Sequence, residues 1–266
     1  MPILVALILG VVEGLTEYLP VSSTGHLILA GHFLGGDSEA DKAFEIVIQL
    51  GAILAVLVYY RALLSQRARE LPSGKPEATR LLLALVAGFV PVAALGLVAR
   101  KAIKAHLFGA RPVAIALAVG GVVMIVVELW RGRRPDDGES RLEEVTPLQG
   151  LLIGIGQCAS LVPGTSRSMA TIVSGQLVGL TTATAAEFSF LLALPTLGAA
   201  TLYEAYKSRQ DLLTLGLAPM AVGLVTSFLV AWAVIAVFIG YLQRRGLLPF
   251  GVYRIILGGL VLWLVR

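Results

Sequence analysis

The chain has 266 residues, 57% of them hydrophobic and 14% charged, with a formal net charge of +4 at pH 7 and a mean hydropathy of +0.85. This balance excludes an ordinary soluble domain, whose helices need polar outer faces, and a nucleic-acid binder, for which there is no basic stripe interleaved with aromatic residues. The single cysteine, Cys158, excludes an intrachain disulfide and a cysteine metal cluster and reads as a packing residue.

What remains is an all-α integral membrane protein. No basic segment precedes Ile3 and no Ala-x-Ala site follows, so a cleavable signal peptide is not expected. Met1 to Tyr18 is apolar apart from Glu13 and Glu17, and Pro20 stops it short of a full span. Ser22, Ser23 and Thr24 offer N-caps, and Gly25 to Leu34 reads as a second short helix. Two short helices joined by a polar turn with a proline predict a re-entrant hairpin. Its irregular tip lies at membrane depth and must be covered by protein or line a cavity.

Gly35 to Lys42 reads as a loop, Ala43 to Tyr60 as a span with Glu45 and Gln49 one helical turn apart, and Arg61 to Arg80 as a basic loop. Leu81 to Ala99 and Pro112 to Trp130 are the next spans, joined by a short basic loop from Arg100 to Arg111. Arg131 to Thr146, with Pro135-Asp136-Asp137-Gly138 inside it, is a solvated loop and not a second domain.

From Pro147 the opening pattern returns. Leu152-Ile153-Gly154-Ile155-Gly156-Gln157 follows the spacing of Ile8-Leu9-Gly10-Val11-Val12-Glu13, and Pro163 to Ser168 falls where Pro20 to Gly25 does if one residue is deleted. Phe44-Glu45 and Glu187-Phe188 open the spans that follow each hairpin. Ala183 to Tyr206, Leu215 to Gly240 and Pro249 to Val265 complete the set. The expectation is a single membrane domain over residues 1–266 of about ten helices, six transmembrane spans plus two re-entrant helix-turn-helix hairpins. They form an inverted repeat, with repeat 1 over approximately 1–130, the polar loop at 131–146 and repeat 2 over approximately 147–266.

Charge orients this arrangement. If each hairpin returns to its own side, one flank collects eight Lys and Arg and the other twelve, the twelve including Arg254, which is expected to snorkel to the interface beside Tyr253. The positive-inside rule then places the twelve-residue flank in the cytoplasm and both termini outside, with the mouth of the first hairpin. Arg167, at the tip of the second hairpin, belongs to neither flank.

Glu13 and Glu17 share one helix face a turn apart. In a low dielectric, two neighbouring carboxylates either push one toward a general acid or base or hold a cation between them; the plainer alternative is that each pairs locally. Ser22, Ser23, Thr24 and Gly25 open the second half-helix, where unpaired N–H groups and the dipole attract an anion, although any single hydroxyl there also serves as an ordinary cap. His26 is either a base toward Ser23 or a water, or a hydrogen-bonded packing residue. The guanidinium of Arg167, between Ser166 and Ser168, needs an anion, which a phosphate or an ion pair with Glu13 or Glu17 supplies. Glu45, Gln49, Gln157 and Glu187 are polar helix-face residues that would surround such a site. Together they describe a site for a phosphorylated, partly lipid ligand. An enzyme is the first reading and a secondary transporter or flippase for an anionic lipid the rival, because broken helices in inverted repeats are also transporter architecture.

These stretches resemble the undecaprenyl-pyrophosphate phosphatase family of the bacitracin-resistance type over essentially the whole chain. Glu13 and Glu17 within Glu-Gly-Leu-Thr-Glu, with Leu19 to His26 adjoining, match its first motif. Pro163, Gly164, Ser166, Arg167, Ser168 and Thr171 match its second, P-G-x-S-R-S-x-x-T. Met169 is a departure, since many relatives carry glycine after the Ser-Arg-Ser. The resemblance implies an enzyme of the bacterial cytoplasmic (inner) membrane that hydrolyses undecaprenyl pyrophosphate to undecaprenyl phosphate and inorganic phosphate. It would recycle the lipid carrier of peptidoglycan synthesis and confer bacitracin resistance, with an active site opening to the periplasmic face. It also implies a divalent cation, Mg2+ or Ca2+, and members that can form homodimers. Carried onto this chain, Glu13 and Glu17 hold the cation or serve as acid and base, and Ser23 or a water activated by His26 attacks. Arg167, helped by Ser22, Thr24, Gly25, Gly164, Thr165, Ser166 and Ser168, binds the pyrophosphate.

Overall fold

In the computed structural model, which describes residues 1–35, 38–107, 109–132 and 141–264, helix is the only regular structure among the described residues. In chain order these are α1 (Ile3–Thr16), α2 (Ser23–Leu34), α3 (Glu39–Val47), α4 (Gln49–Tyr59), α5 (Arg61–Glu70), α6 (Pro76–His106) and α7 (Ala110–Arg131). There follow α8 (Pro147–Gln157), α9 (Arg167–Leu177), α10 (Thr182–Lys207), α11 (Arg209–Leu215), α12 (Leu217–Leu242) and α13 (Leu248–Leu264). Five stretches are long and apolar enough to cross a membrane: Ala40–Tyr59, Pro76–Ala99, Ala110–Arg131, Thr182–Lys207 and Leu217–Leu242. The chain is a multi-pass membrane protein. The sixth expected span forms α13, whose 17 residues are fewer than in the other five.

The described residues hold thirteen α-helical segments rather than about ten. The Ala43 to Tyr60 span is two helices that meet at Ile48, inside a run without glycine or proline until Gly51. The Arg61 to Arg80 stretch, expected as a loop, begins with a helix because Arg, Ala, Leu, Gln and Glu are all strong helix formers. For the same reason α6 runs on through Arg100 to His106, where a basic loop was expected. The Pro135-Asp136-Asp137-Gly138 turn lies outside the described residues. Arg67 pairs with Glu70 on its own helix and with Glu143 in the turn before α8, which ties the Arg61–Arg80 and Arg131–Thr146 segments to one flank.

Glycine sets how the helices approach one another. A Cβ at Gly10 of α1 would stand 2.7 Å from the carbonyl oxygen of Gly223 on α12, and one at Gly14 2.7 Å from that of Ser227. On α8, Gly150 and Gly154 meet Ala84 and Gly88 of α6 so closely that a Cβ would run into their carbonyl oxygens. The short helices α1 and α8 are thus each laid backbone to backbone along a longer one, α12 and α6. Without a hydrophobic drive between helices in lipid, this close contact is the main source of attraction. A third pairing lays α7 along α13 through Gly120, Gly121, Gly251 and Gly258.

Candidate active site

The breaks between α1 and α2 and between α8 and α9 end in the same unusual backbone. Ser22 at φ 72° and Ser166 at φ 74° are the non-glycine residues with positive φ among the described residues. Such residues are uncommon, and strain of this kind gathers at functional sites. Each is an N-cap: Ser22 Oγ accepts from the Gly25 N–H at 3.4 Å, and Ser166 Oγ from the Met169 N–H at 3.2 Å. The two caps stand 144 positions apart, the same separation as Gly10 from Gly154, Glu13 from Gln157 and Phe44 from Phe188. The one-residue deletion expected between the halves is therefore not needed. Arg167 is the first residue of α9, structurally opposite Ser23, which opens α2.

The two tips meet. Arg167 Nη2 donates to Glu17 Oε1 at 3.0 Å, with both side chains buried, and Ser23 Oγ donates to Glu17 Oε2 at 2.6 Å. The other arm of the guanidinium, Nη1, donates to the backbone oxygen and the hydroxyl of Ser189 on α10, at 2.9 and 3.0 Å. Thr171 is within 2.6 Å of the same hydroxyl. The Tyr18 ring lies 5.6 Å from Arg167 Cζ, a cation–π contact, while Ser168 Oγ donates to the Tyr18 carbonyl at 2.7 Å. Arg167 is held by four contacts from three residues, Glu17, Ser189 and Tyr18, yet its Nε has no partner among the described residues.

Beside this cluster lies a cavity of about 210 Å3, whose lining includes Glu17, Ser22, Ser23, Thr24, Ser166 and Arg167. Gly164, Gln49 and Gln157 also line it. Gln157 is fully buried; its amide donates to the Gly88 carbonyl at 3.4 Å and leaves Oε1 unpaired, while Gln49 Oε1 accepts from Thr201 at 3.4 Å. Glu13 is also fully buried, and neither of its carboxyl oxygens has a partner among the described residues.

The bacitracin resistance protein BacA family matches residues 6–260. This chain belongs to it. An undecaprenyl-diphosphatase of Sorangium cellulosum (strain So ce56) is 60% identical over 97% of the chain and 85% of the relative. Undecaprenyl-diphosphatases of Albidiferax ferrireducens, at 45% over 97% and 93%, and of Nitrosomonas europaea, at 46% over 98% and 93%, are similar along the same extent.

Other residues of this BacA-family chain fall differently from expectation. His26 does not line the cavity and does not face Ser23. One ring nitrogen, Nδ1, lies 2.8 Å from the Ser22 carbonyl, Nε2 lies 2.6 Å from the Tyr253 hydroxyl, and the two rings stack 5.7 Å apart. The carboxylate in contact with Ser23 is Glu17. Glu45 and Glu187 are half-buried and do not line the cavity; Glu187 stands beside Tyr60. Met169 is buried and packs against Gly120 and the Arg254 head, so the larger side chain is housed by a glycine on the facing helix.

Arg254 is the main correction. It does not snorkel; it is 0% exposed and donates to five carbonyls. These are Pro20 on the first tip (3.0 Å), Gly164 and Thr165 on the second (3.0 and 2.8 Å), and Ala116 and Leu117 on α7 (3.3 and 3.2 Å). It therefore leaves the basic flank, whose twelve becomes eleven, and becomes the clamp that holds both tips together. Its place well inside a 17-residue apolar helix, beside Gly251 and Gly258, was the signal: a snorkelling arginine sits at a helix end.

Proposed function

We propose that the chain is a membrane undecaprenyl-diphosphatase, a phosphoanhydride hydrolase that converts undecaprenyl pyrophosphate to undecaprenyl phosphate and inorganic phosphate. It thereby recycles the carrier lipid of cell-wall synthesis and confers bacitracin resistance. The observation that carries the reading within the site is the Ser23–Glu17–Arg167 chain lining a cavity. A hydroxyl, a carboxylate positioned to take its proton and a guanidinium with an unpaired N–H together match what phosphoryl transfer needs.

In the proposed mechanism Arg167, supported by Ser189, binds the terminal phosphate and stabilises charge on its oxygens. The tip hydroxyls and N–H groups of Ser22, Thr24, Gly25, Thr165, Ser166 and Ser168 complete the cradle around Gly164. Glu17 accepts the proton as Ser23 Oγ attacks the terminal phosphorus. The new O–P bond forms as the P–O–P bond breaks, undecaprenyl phosphate leaves, and water then releases phosphate from the serine. In the alternative, a water attacks directly and Glu17 takes its proton. Rapid-quench labelling of Ser23 separates the two.

Glu13 bears on the divalent cation. Its two unpaired, fully buried oxygens fit a cation site, although no group of three or more His, Cys, Asp or Glu is assembled among the described residues. Glu13 and Glu17 would hold Mg2+ or Ca2+, the remaining ligands coming from phosphate oxygens and water, as such ions commonly accept. The bound ion would neutralise charge on the pyrophosphate. His26, held by Ser22 and Tyr253, orients the first tip in this reading.

The inverted repeat is supported by the matched caps, by the constant separation of 144 and by the exchange of partners between halves, α1 along α12 and α8 along α6. A cytoplasmic position for the more basic flank, joined through Arg67 and Glu143, supports an opening toward the periplasmic face of the inner membrane. The test is phosphate release from undecaprenyl pyrophosphate by purified protein in detergent, where transport has no meaning. Wild type releases phosphate and Glu17→Gln and Arg167→Ala do not; near-normal release by both variants would overturn the assignment.

A further inference from the structure

Of the two acids on the first tip, Glu17 has its charge met by Arg167, whereas Glu13 is fully buried with both oxygens unpaired among the described residues. A buried carboxylate in that condition is costly unless it is neutralised or binds a cation. Two other carboxylates bear on Glu13 electrostatically, Glu17 one turn on and Glu45 of α3. Packing brings α3 to this point. A Cβ at Gly223 of α12 would run into the Phe44 ring, and Gly223 is where α12 meets Gly10 of α1, three residues before Glu13. Phe44 shares an apolar cluster with Leu9 of α1 and Leu27 of α2. Glu45 follows it in the chain, half-buried, with Asp41 and Lys42 beside it near the capping box that opens α3.

The repeat gives Glu45 a counterpart. At the separation of 144 positions Glu45 corresponds to Ser189, and Ser23 to Arg167. In the second half a long cationic side chain reaches a short one, as Arg167 Nη1 donates to the carbonyl and hydroxyl of Ser189. In the first half the order of lengths is reversed and the charge is opposite: the short hydroxyl of Ser23 corresponds to the arginine, and the long carboxylate of Glu45 to the serine. The helices also stand differently. α9 packs against α10, whereas α2 has no comparable contact with α3, which ends at the break before α4. The place that a guanidinium fills in one half therefore corresponds, in the other, to a gap with carboxylates on two of its helices.

We propose that Glu45 is a positioning residue for the divalent cation, acting through water bound to an ion held by Glu13 and Glu17, in the place that corresponds to the Arg167 guanidinium. This rests on the reading of Glu13 and Glu17 as the cation site. The contact runs through water because no three acids stand within direct coordinating reach among the described residues, and Mg2+ keeps several of its waters. Outer partners of this kind commonly change metal affinity by about 10- to 100-fold.

The test reads the ion and not the reaction. Mn2+ alone is titrated into purified protein in detergent and the free ion is followed by its EPR signal. Glu45→Gln, close in shape but without the charge, is expected to raise the Kd for Mn2+ about tenfold or more. Glu45→Asp, which keeps the charge and withdraws it by one methylene, should raise it by less, and Glu204→Gln near the C-terminal end of α10 should leave it within twofold. In phosphate release, the Mg2+ concentration giving half the maximal rate should rise in Glu45→Gln by the same factor, and saturating Mg2+ should recover the rate. Unchanged Mn2+ affinity in Glu45→Gln, or a lost rate that saturating Mg2+ does not recover, would overturn the role. If Glu45→Gln does not fold, Glu45→Asp decides alone: a rise in Kd of threefold or more supports the role and a smaller one overturns it. Wild-type protein that binds no Mn2+ would instead overturn the cation site at Glu13 and Glu17 beneath it.

Discussion

The two tips share a backbone and divide the chemistry. Ser22 and Ser166 adopt nearly the same positive φ, cap the same position of the following helix and are followed by the residues that matter, Ser23 on one side and Arg167 on the other. The first half places a carboxylate at Glu17 beside its tip; the second has Leu161 at the corresponding position and supplies the cation. The same tip geometry thus carries opposite charges on its two sides. Arg254, from a helix belonging to neither tip, binds carbonyls of both and so helps to hold the charged groups together.

Replacing Arg167 gives the largest expected effect on this division of labour. In Arg167→Lys the charge remains but the fork does not, so Glu17 and Ser189 cannot both be held as the planar guanidinium holds them. Phosphate release should fall roughly 100-fold or more, the scale of losing one aligned charge-stabilising donor. Steady-state kinetics on undecaprenyl pyrophosphate check this, and a lysine variant within threefold of wild type would mean that the second tip contributes only charge.

Arg254→Lys tests what joins the halves. An ammonium has three donors and cannot satisfy five carbonyls, and unpaired buried acceptors cost about 1–3 kcal/mol each. A loss of about 3 kcal/mol or more in stability is expected, read as a lower midpoint of thermal unfolding in detergent. Next in size come Gly154→Ala and Gly10→Ala, where overpacking costs about 1–3 kcal/mol. Gly154→Ala should be the worse, because its Cβ would run into the Gly88 carbonyl whereas that at Gly10 would stop 2.7 Å from the Gly223 oxygen. Equal effects would mean that α1 and α8 are packed equally tightly despite that difference.

Much of this was legible in the linear chain because the signals are local. Pro20 and Pro163 break apolar helices, hydroxyls follow at cap positions, and a guanidinium in such a setting demands an anion. The partners are not local. Ser189 within α10 and Tyr18 just past the end of α1 sit in apolar surroundings where a hydroxyl or an aromatic ring is indistinguishable from packing, yet both hold Arg167. Arg254 finds acceptors 89 to 234 positions away, and carbonyls leave no trace in a sequence. His26 looked like a base because it stands three residues from Ser23; the helix turns its ring toward Tyr253 instead. The break at Ile48 has no proline or glycine to announce it.

The smallest predicted effect is the sharpest test of whether the two tips are equivalent. Positive φ at a serine stores about 1–3 kcal/mol of strain. Ser22→Gly and Ser166→Gly remove that strain, lose a side-chain cap at a cost of a few tenths of a kcal/mol, and gain chain entropy in the unfolded state worth about 0.5–1 kcal/mol. The terms nearly cancel, so thermal midpoints should barely move. Alanine keeps the strain and loses the cap, so Ser22→Ala and Ser166→Ala should each be destabilised by about 1 kcal/mol. Ser166→Ala should be slightly the worse, since its cap to Met169 is 3.2 Å against 3.4 Å to Gly25. If glycine proves as harmful as alanine at one tip alone, the serine hydroxyl there has a role beyond capping. A fall in phosphate release without a shift in midpoint would assign that role to substrate rather than to the fold.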